Sequence, residues 1–174
     1  FVLSLLSIFY STTFSPTPAA AAKGKIARCY SGPLDAPVVQ DMMQCNPSVK
    51  LVIHVCKLYS TKDGNSFQAF GRIYSGTVKP GQRVQVLGES YVPDDDDEDC
   101  AVATVETVSI PRGRTTTPVT LATAGNWVFL SGVDATIAKT ATIVGLDDST
   151  TNNNHNSTGD EQAEQGAENA VHIF

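Results

Sequence analysis

The chain has 174 residues, with 12 Lys and Arg against 18 Asp and Glu, a formal net charge of −6 and 41% hydrophobic residues. That length buries a sizeable core in one medium domain with appendages, and the overall charge excludes a chain that coats nucleic acid over its whole surface. The acids are unevenly placed, six in Asp94–Asp99 and six in Asp147–Glu168, so the remainder carries six acids against all 12 basic residues and suits local contact with RNA or an acidic protein face.

Phe1 to Phe14 is apolar, yet too short and too rich in Ser and Thr for a membrane span, and it lacks the basic start of a signal peptide. We read it as the remnant of a helix, and we read a chain starting at Phe1 as a segment of something longer. Residues 15–49 carry five prolines and an alanine run, which is linker composition, with a short helix expected from Asp35 to Met43. Lys23, Lys25 and Arg28 make a small basic patch there.

From Leu51 the pattern changes to strand. The run LVIHVCKLY is nearly continuous apolar sequence in its first half, and His54 within it reads as a core or edge residue rather than a base. Asp63-Gly64 signals a turn. Phe67, Ala69, Gly71 and Ile73 then alternate with Gln68, Phe70, Arg72 and Tyr74, the period of a strand with two different faces. Lys79-Pro80-Gly81-Gln82 has the chemistry of a type II turn, because proline presets φ at the second position and glycine accepts positive φ at the third. A hairpin is expected, with Val84 and Val86 returning on the apolar side. Gly71 and Gly76 interrupt good strand sequence and mark a bulge or a close backbone approach.

The run Asp94–Asp99 repels itself and reads as a solvated loop. Cys100 to Ile110 alternates as one further strand, which Pro111-Arg112-Gly113-Arg114 is expected to break. Ala124-Gly125-Asn126 turns the chain into Trp127-Val128-Phe129-Leu130, its densest large-apolar cluster, so Trp127 reads as a core anchor, the other reading being a platform for a base. Ile137 to Val144 supplies a last strand. Residues 147–174 form an acidic, nearly apolar-free segment expected to be disordered, leading to a next domain. The architecture expected from 50–146 is all-β, a closed barrel of short strands with Gly and Pro turns.

Several stretches then carry a resemblance. FQAFGRIYSGTVKPGQRVQVLG, preceded by CKLYSTKDG, resembles the second domain of the translational GTPases in their elongation-factor-2 branch. Lys57–Thr61 with Asp63-Gly64, Val86–Tyr91, and Ala124–Val128 with Gly132–Asp134 and Lys139–Ile143 are similar to the spliceosomal, U5 small nuclear ribonucleoprotein branch of that family. The resemblance implies a domain II β-barrel following a GTPase domain, in which residues 1–14 are the end of that domain's last helix. It implies a parent that binds GTP and magnesium elsewhere, and a role in pre-mRNA splicing in the nucleus. The implied partners are the adjacent GTPase domain, the large U5 scaffold protein and helicase, and U5 RNA or pre-mRNA, with no membrane. A ribosomal translocase or ribosome-assembly relative contacting ribosomal RNA stays open, as does a secreted β-rich binding protein suggested by the signal-like start and Asn156-Ser157-Thr158.

No Gly-x-x-x-x-Gly-Lys-[Ser/Thr] loop is present, and no nucleophile, base and orienter can be assembled, so no enzyme is read from this chain. The four cysteines form no CxxC pair, and no metal or cofactor site is read from them. By charge and expected exposure, the candidate RNA or protein contacts are Lys57, Arg72, Lys79, Arg83, Arg112 and Arg114. The candidate structural residues are Gly71, Gly76, Pro80, Gly81, Gly125 and Trp127.

Overall fold

The computed structural model describes residues 16–61, 63–91, 99–146 and 174. The expected helix remnant 1–14, the acidic run except Asp99, and the acidic segment except Phe174 lie outside the described residues. Among the described residues two helices come first, α1 (Pro18–Cys29) and α2 (Pro37–Gln44). Ten strands follow: β1 (Val52–Ser60), β2 (Phe67–Ser75), β3 (Thr77–Val78), β4 (Arg83–Leu87), β5 (Cys100–Thr104), β6 (Thr107–Arg112), β7 (Thr115–Pro118), β8 (Ala122–Thr123), β9 (Trp127–Ser131) and β10 (Ala141–Gly145).

Eight of the strands form one sheet in the order β5-β4-β10-β1-β2-β9-β6-β7, and β3 pairs with β8 in a second. All pairings are antiparallel. Among the described residues no ladder joins β5 to β7, so the sheet is curled rather than closed; this corrects the expected closed barrel. The physical reason lies at β7, a four-residue edge strand ending in Pro118, whose nitrogen has no hydrogen to donate. The seam is spanned instead by the chain itself between β5 and β6. Val105 exchanges backbone bonds with the turn before β4, accepting from Gly81 N at 2.7 Å and donating to Gln82 O at 3.0 Å, while Glu106 N donates to Ser131 O of β9 at 2.9 Å.

The inner face buries one core. Ile53, Val55, Ala69, Ile73, Val84, Val86, Val108, Val128, Leu130 and Ile143 meet there, so strands far apart in the sheet share one interior. Fully burying such a side chain contributes about 1.5 to 3 kcal/mol. On the outer face a second cluster forms from Val52, Tyr74, Leu87 and Val144 against Ala22, Ile26 and Tyr30 of the α1 region and Val39 and Met42 of α2. The described part of the expected linker, residues 16–49, therefore packs two helices on the sheet. Pro18 and Pro37 sit at the first turns of the two helices, where a missing N–H costs nothing, and Thr17 Oγ1 accepts from Ala20 N at 3.3 Å.

The expected hairpin is also corrected. The turn at Lys79–Gln82 forms, with Gln82 N donating to Lys79 O at 3.3 Å and φ of +82° at Gly81. It does not join paired strands, since β2 pairs with β1 and β9 while β4 pairs with β10 and β5. Gly76 is the cause. Its φ of +75° turns the chain out of β2, its N–H reaches Asn46 O at 2.8 Å, and β4 is thereby sent to the other side of β1 and β10. Gly71 stands opposite the irregularity between Val55 and Lys57, where a Cβ would come within 2.7 Å of His54 O. The single strand expected over Cys100–Ile110 is two, β5 and β6, and β6 runs on through Pro111 and Arg112, which pair with Thr116 and Thr115.

A methyl group at Gly76 would lie 2.5 Å from Leu51 Cα in a backbone conformation that L residues rarely adopt, whereas one at Gly81 would meet nothing within 4 Å. Gly76→Ala is expected to lower stability by about 2 to 4 kcal/mol and Gly81→Ala by about 1 kcal/mol, measured by urea denaturation. Equal costs would remove Gly76 as the corner.

Candidate functional site

The outer face of β1, β2 and β9 carries a row of rings. Register places Phe70 beside Phe129 and Arg72 beside Trp127, while Lys57 pairs with Phe70 and Tyr59 with Gln68. The rings meet as a result. Phe70 and Trp127 stack with centroids 5.0 Å apart and planes at 15°; Phe70 and Phe129 lie 4.9 Å apart; Tyr59 meets Phe129 edge-on at 5.5 Å. Trp127 is 39% exposed and Tyr59 43% exposed. Trp127 is therefore not the expected core anchor, because alternation along β9 sends Val128 and Leu130 inward and Trp127 and Phe129 outward.

Lys57 holds its Nζ 5.0 Å from the centre of the Tyr59 ring, within cation–π range. Beside the rings lies an open groove of about 420 Å³, lined by Tyr59, Ser60, Thr61, Gln68, Arg114, Thr115, Thr116 and Phe129. Lys57 and Arg114, distant in sequence, thus flank one aromatic surface. Arg112 is exposed at the same β6–β7 end. Lys79 and Arg83 fall elsewhere, with Pro80 and Gly81, on a groove of about 620 Å³ that also includes Pro47, Ser48 and Gln82.

Arg72 departs from its expected role as an exposed contact. Only 7% exposed, it donates through Nη2 to Pro18 O at 2.7 Å and lies with its guanidinium carbon 5.1 Å from the Tyr74 ring centre. Its Nε is buried without a hydrogen-bond partner. Arg72 fastens the start of α1 to β2, next to Gly125, where a Cβ would come within 2.9 Å of Pro18 Cβ. His54 is likewise engaged. Its ring stacks on Phe174 at 4.9 Å and 9°, its Nδ1 is 3.8 Å from Cys56 Sγ, and burial, aided by the Lys25 charge, lowers its pKa to about 4. Burial also raises the Cys56 thiol and the Tyr74 hydroxyl.

Among the described residues, no group of three or more His, Cys, Asp and Glu converges as a metal site. Asp134, at the start of a short 3-10 helix (Asp134–Thr136), accepts from Phe67 N at 3.1 Å. The rings of Tyr59, Phe70 and Phe129 were missed from sequence. Their only signal is the alternation that pairs Trp127 with Phe129 and sets Phe70 out of phase with Ala69, and it becomes legible only once β2 is known to pair with β9.

A family model described as elongation factor Tu domain 2 matches residues 66–144. The 109 kDa U5 small nuclear ribonucleoprotein component GFL of Arabidopsis thaliana is 44% identical over 128 residues, which is 74% of this chain and 13% of the relative. The 110 kDa U5 small nuclear ribonucleoprotein component CLO of Arabidopsis thaliana is 44% identical with the same coverage. Pre-mRNA-splicing factor cwf10 of Schizosaccharomyces pombe is 44% identical over 135 residues, 76% of this chain and 14% of the relative. The chain thus spans 13% to 14% of the length of these relatives.

Loss of the Arg72 bond to Pro18 frees α1 from β2. Arg72→Ala is expected to cost about 2 kcal/mol, in the range for a hydrogen bond to a charged group, and to speed hydrogen exchange in Pro18–Cys29 more than in β1 and β2. Uniform acceleration would contradict a local clamp. For His54 the folded pKa lies below the unfolded value of about 6.5, so the unfolded chain binds the extra proton. Stability is then full above pH 6.5 and falls as pH drops towards 4; in urea titrations His54→Gln should flatten that slope, and an unchanged slope would assign it to other groups.

Proposed function

We propose that the chain, whose residues 66–144 match the elongation factor Tu domain 2 model, is the non-catalytic second domain of a spliceosomal, elongation-factor-2-like GTPase. The observation that carries this reading is the 44% identity to U5 ribonucleoprotein components across about three quarters of the chain. In this reading GTP and magnesium are held by a GTPase domain outside the chain, which itself has no phosphate loop. The domain acts in pre-mRNA splicing in the nucleus, in contact with U5 proteins, including the large scaffold protein and helicase, and with U5 RNA or pre-mRNA.

The structure supports a relay as the mechanism. Arg72 ties the first residue of α1 to β2, and β2 is hydrogen-bonded to β1 and β9, which carry the outer rings. A displacement of the chain preceding α1 is thereby passed through a side-chain hydrogen bond and two ladders to the exposed aromatic face, without a hinge between them. Interfaces packed in this way move as units.

The test is a pull-down of the tagged full-length parent from nuclear and from cytosolic extract, with sequencing of the RNA that accompanies it. U5 small nuclear RNA together with splicing proteins is expected in the nuclear fraction. Ribosomal RNA in its place would assign the same domain to translation or ribosome assembly and overturn the splicing reading.

A further inference from the structure

We propose that the outer face formed by Tyr59, Phe70, Trp127 and Phe129, with Lys57 and Arg114 at its rim, binds single-stranded RNA by stacking unpaired bases on its rings; the inference rests on the ribonucleoprotein reading for its choice of partner. Stacking needs a ring face open to solvent, and of these four rings Tyr59 and Trp127 are the exposed ones. Trp127 lies flat on Phe70, so one indole face is fixed by that contact while the ring keeps substantial exposure. A ring held by a neighbour loses little freedom when a base settles on it. Tyr59, set edge-on to Phe129, continues the surface towards the groove.

The surroundings select the ligand. The groove has no acidic side chain among its lining residues, one guanidinium at Arg114, and hydroxyl or amide groups at Ser60, Thr61, Gln68, Thr115 and Thr116. Lys57 adds an ammonium beside Tyr59. Rings for base faces, neutral polar groups for base edges and cations without nearby acids in the groove wall form the combination that single strands require. A duplex offers no unstacked base to such a surface.

Trp127 is the one tryptophan in the chain and reports on its own site. The full 174-residue chain is titrated at low salt with a short oligouridylate, with a duplex RNA of equal length and with a proline-rich peptide. Quenching of the indole emission by the single strand alone is expected, and Tyr59→Ala should weaken binding of the labelled strand about fivefold or more. Lys57→Gln and Arg114→Gln should each reduce the salt dependence of binding. Both basic side chains are exposed, so these variants keep the proposal testable if Tyr59→Ala does not fold. Absence of quenching, equal binding of the duplex, unaltered binding by Tyr59→Ala and both charge variants, or capture of the peptide in place of RNA would each overturn it. The assay uses synthetic RNA and the free chain, so its failure alongside recovery of U5 RNA by the parent refutes the stacking surface and leaves the splicing reading standing.

Discussion

Strand β2 is buried on both sides over its second half, and the rest of the molecule depends on that constraint. Ala69 and Ile73 face the inner core, while Arg72 and Tyr74 face the helices. A strand in this position cannot slip by one residue without driving Arg72 into the core and exposing Ile73. The register with β1 and β9 is therefore held from two directions. That register sets Phe70 against Phe129 and brings Lys57 alongside, so the aromatic face is a consequence of core packing rather than a separate feature.

The helices complete the same argument. A sheet buried on one face alone would leave Val52, Tyr74, Leu87 and Val144 in water. α1 and α2 cover them, and Phe174 adds its ring against Tyr74 at 4.7 Å and His54 at 4.9 Å. The guanidinium of Arg72 is the buried charge in this layer among the described residues, beside the buried hydroxyl of Thr142. It is satisfied in part by a backbone carbonyl and in part by the face of Tyr74, which suits a planar cation better than it would an ammonium. The chain that enters the domain is thereby joined to the strand that organises it.

The curled sheet also shows how a barrel-like shape is reached without a complete ladder. Val105 and Glu106 are consecutive residues whose backbone groups reach β4's turn on one side and β9 on the other. One peptide step does the work of a missing strand pair at that end, while β7 is left as a short edge with Pro118 at its tip. An edge so short, ending in a residue without an N–H, is a weak template for another strand.

The sequence by itself determined the local pieces: alternation in Phe67–Ser75 and Arg83–Leu87, the turn at Pro80-Gly81, the close backbone approach at Gly76, and the wording of the elongation-factor-2 branch. These are properties of near neighbours along the chain, set by φ preferences and by the two-residue period of strands. Pairing was not among them. Whether β4 returns beside β2 or crosses to β10 depends on a positive φ at Gly76 and on contacts with Asn46 and Leu51, which are remote in sequence. The same holds for side choice. Trp127 and Arg72 exchanged their expected places, the indole outward and the guanidinium inward, because only the assembled sheet and the helices laid upon it decide which face of each strand water can reach.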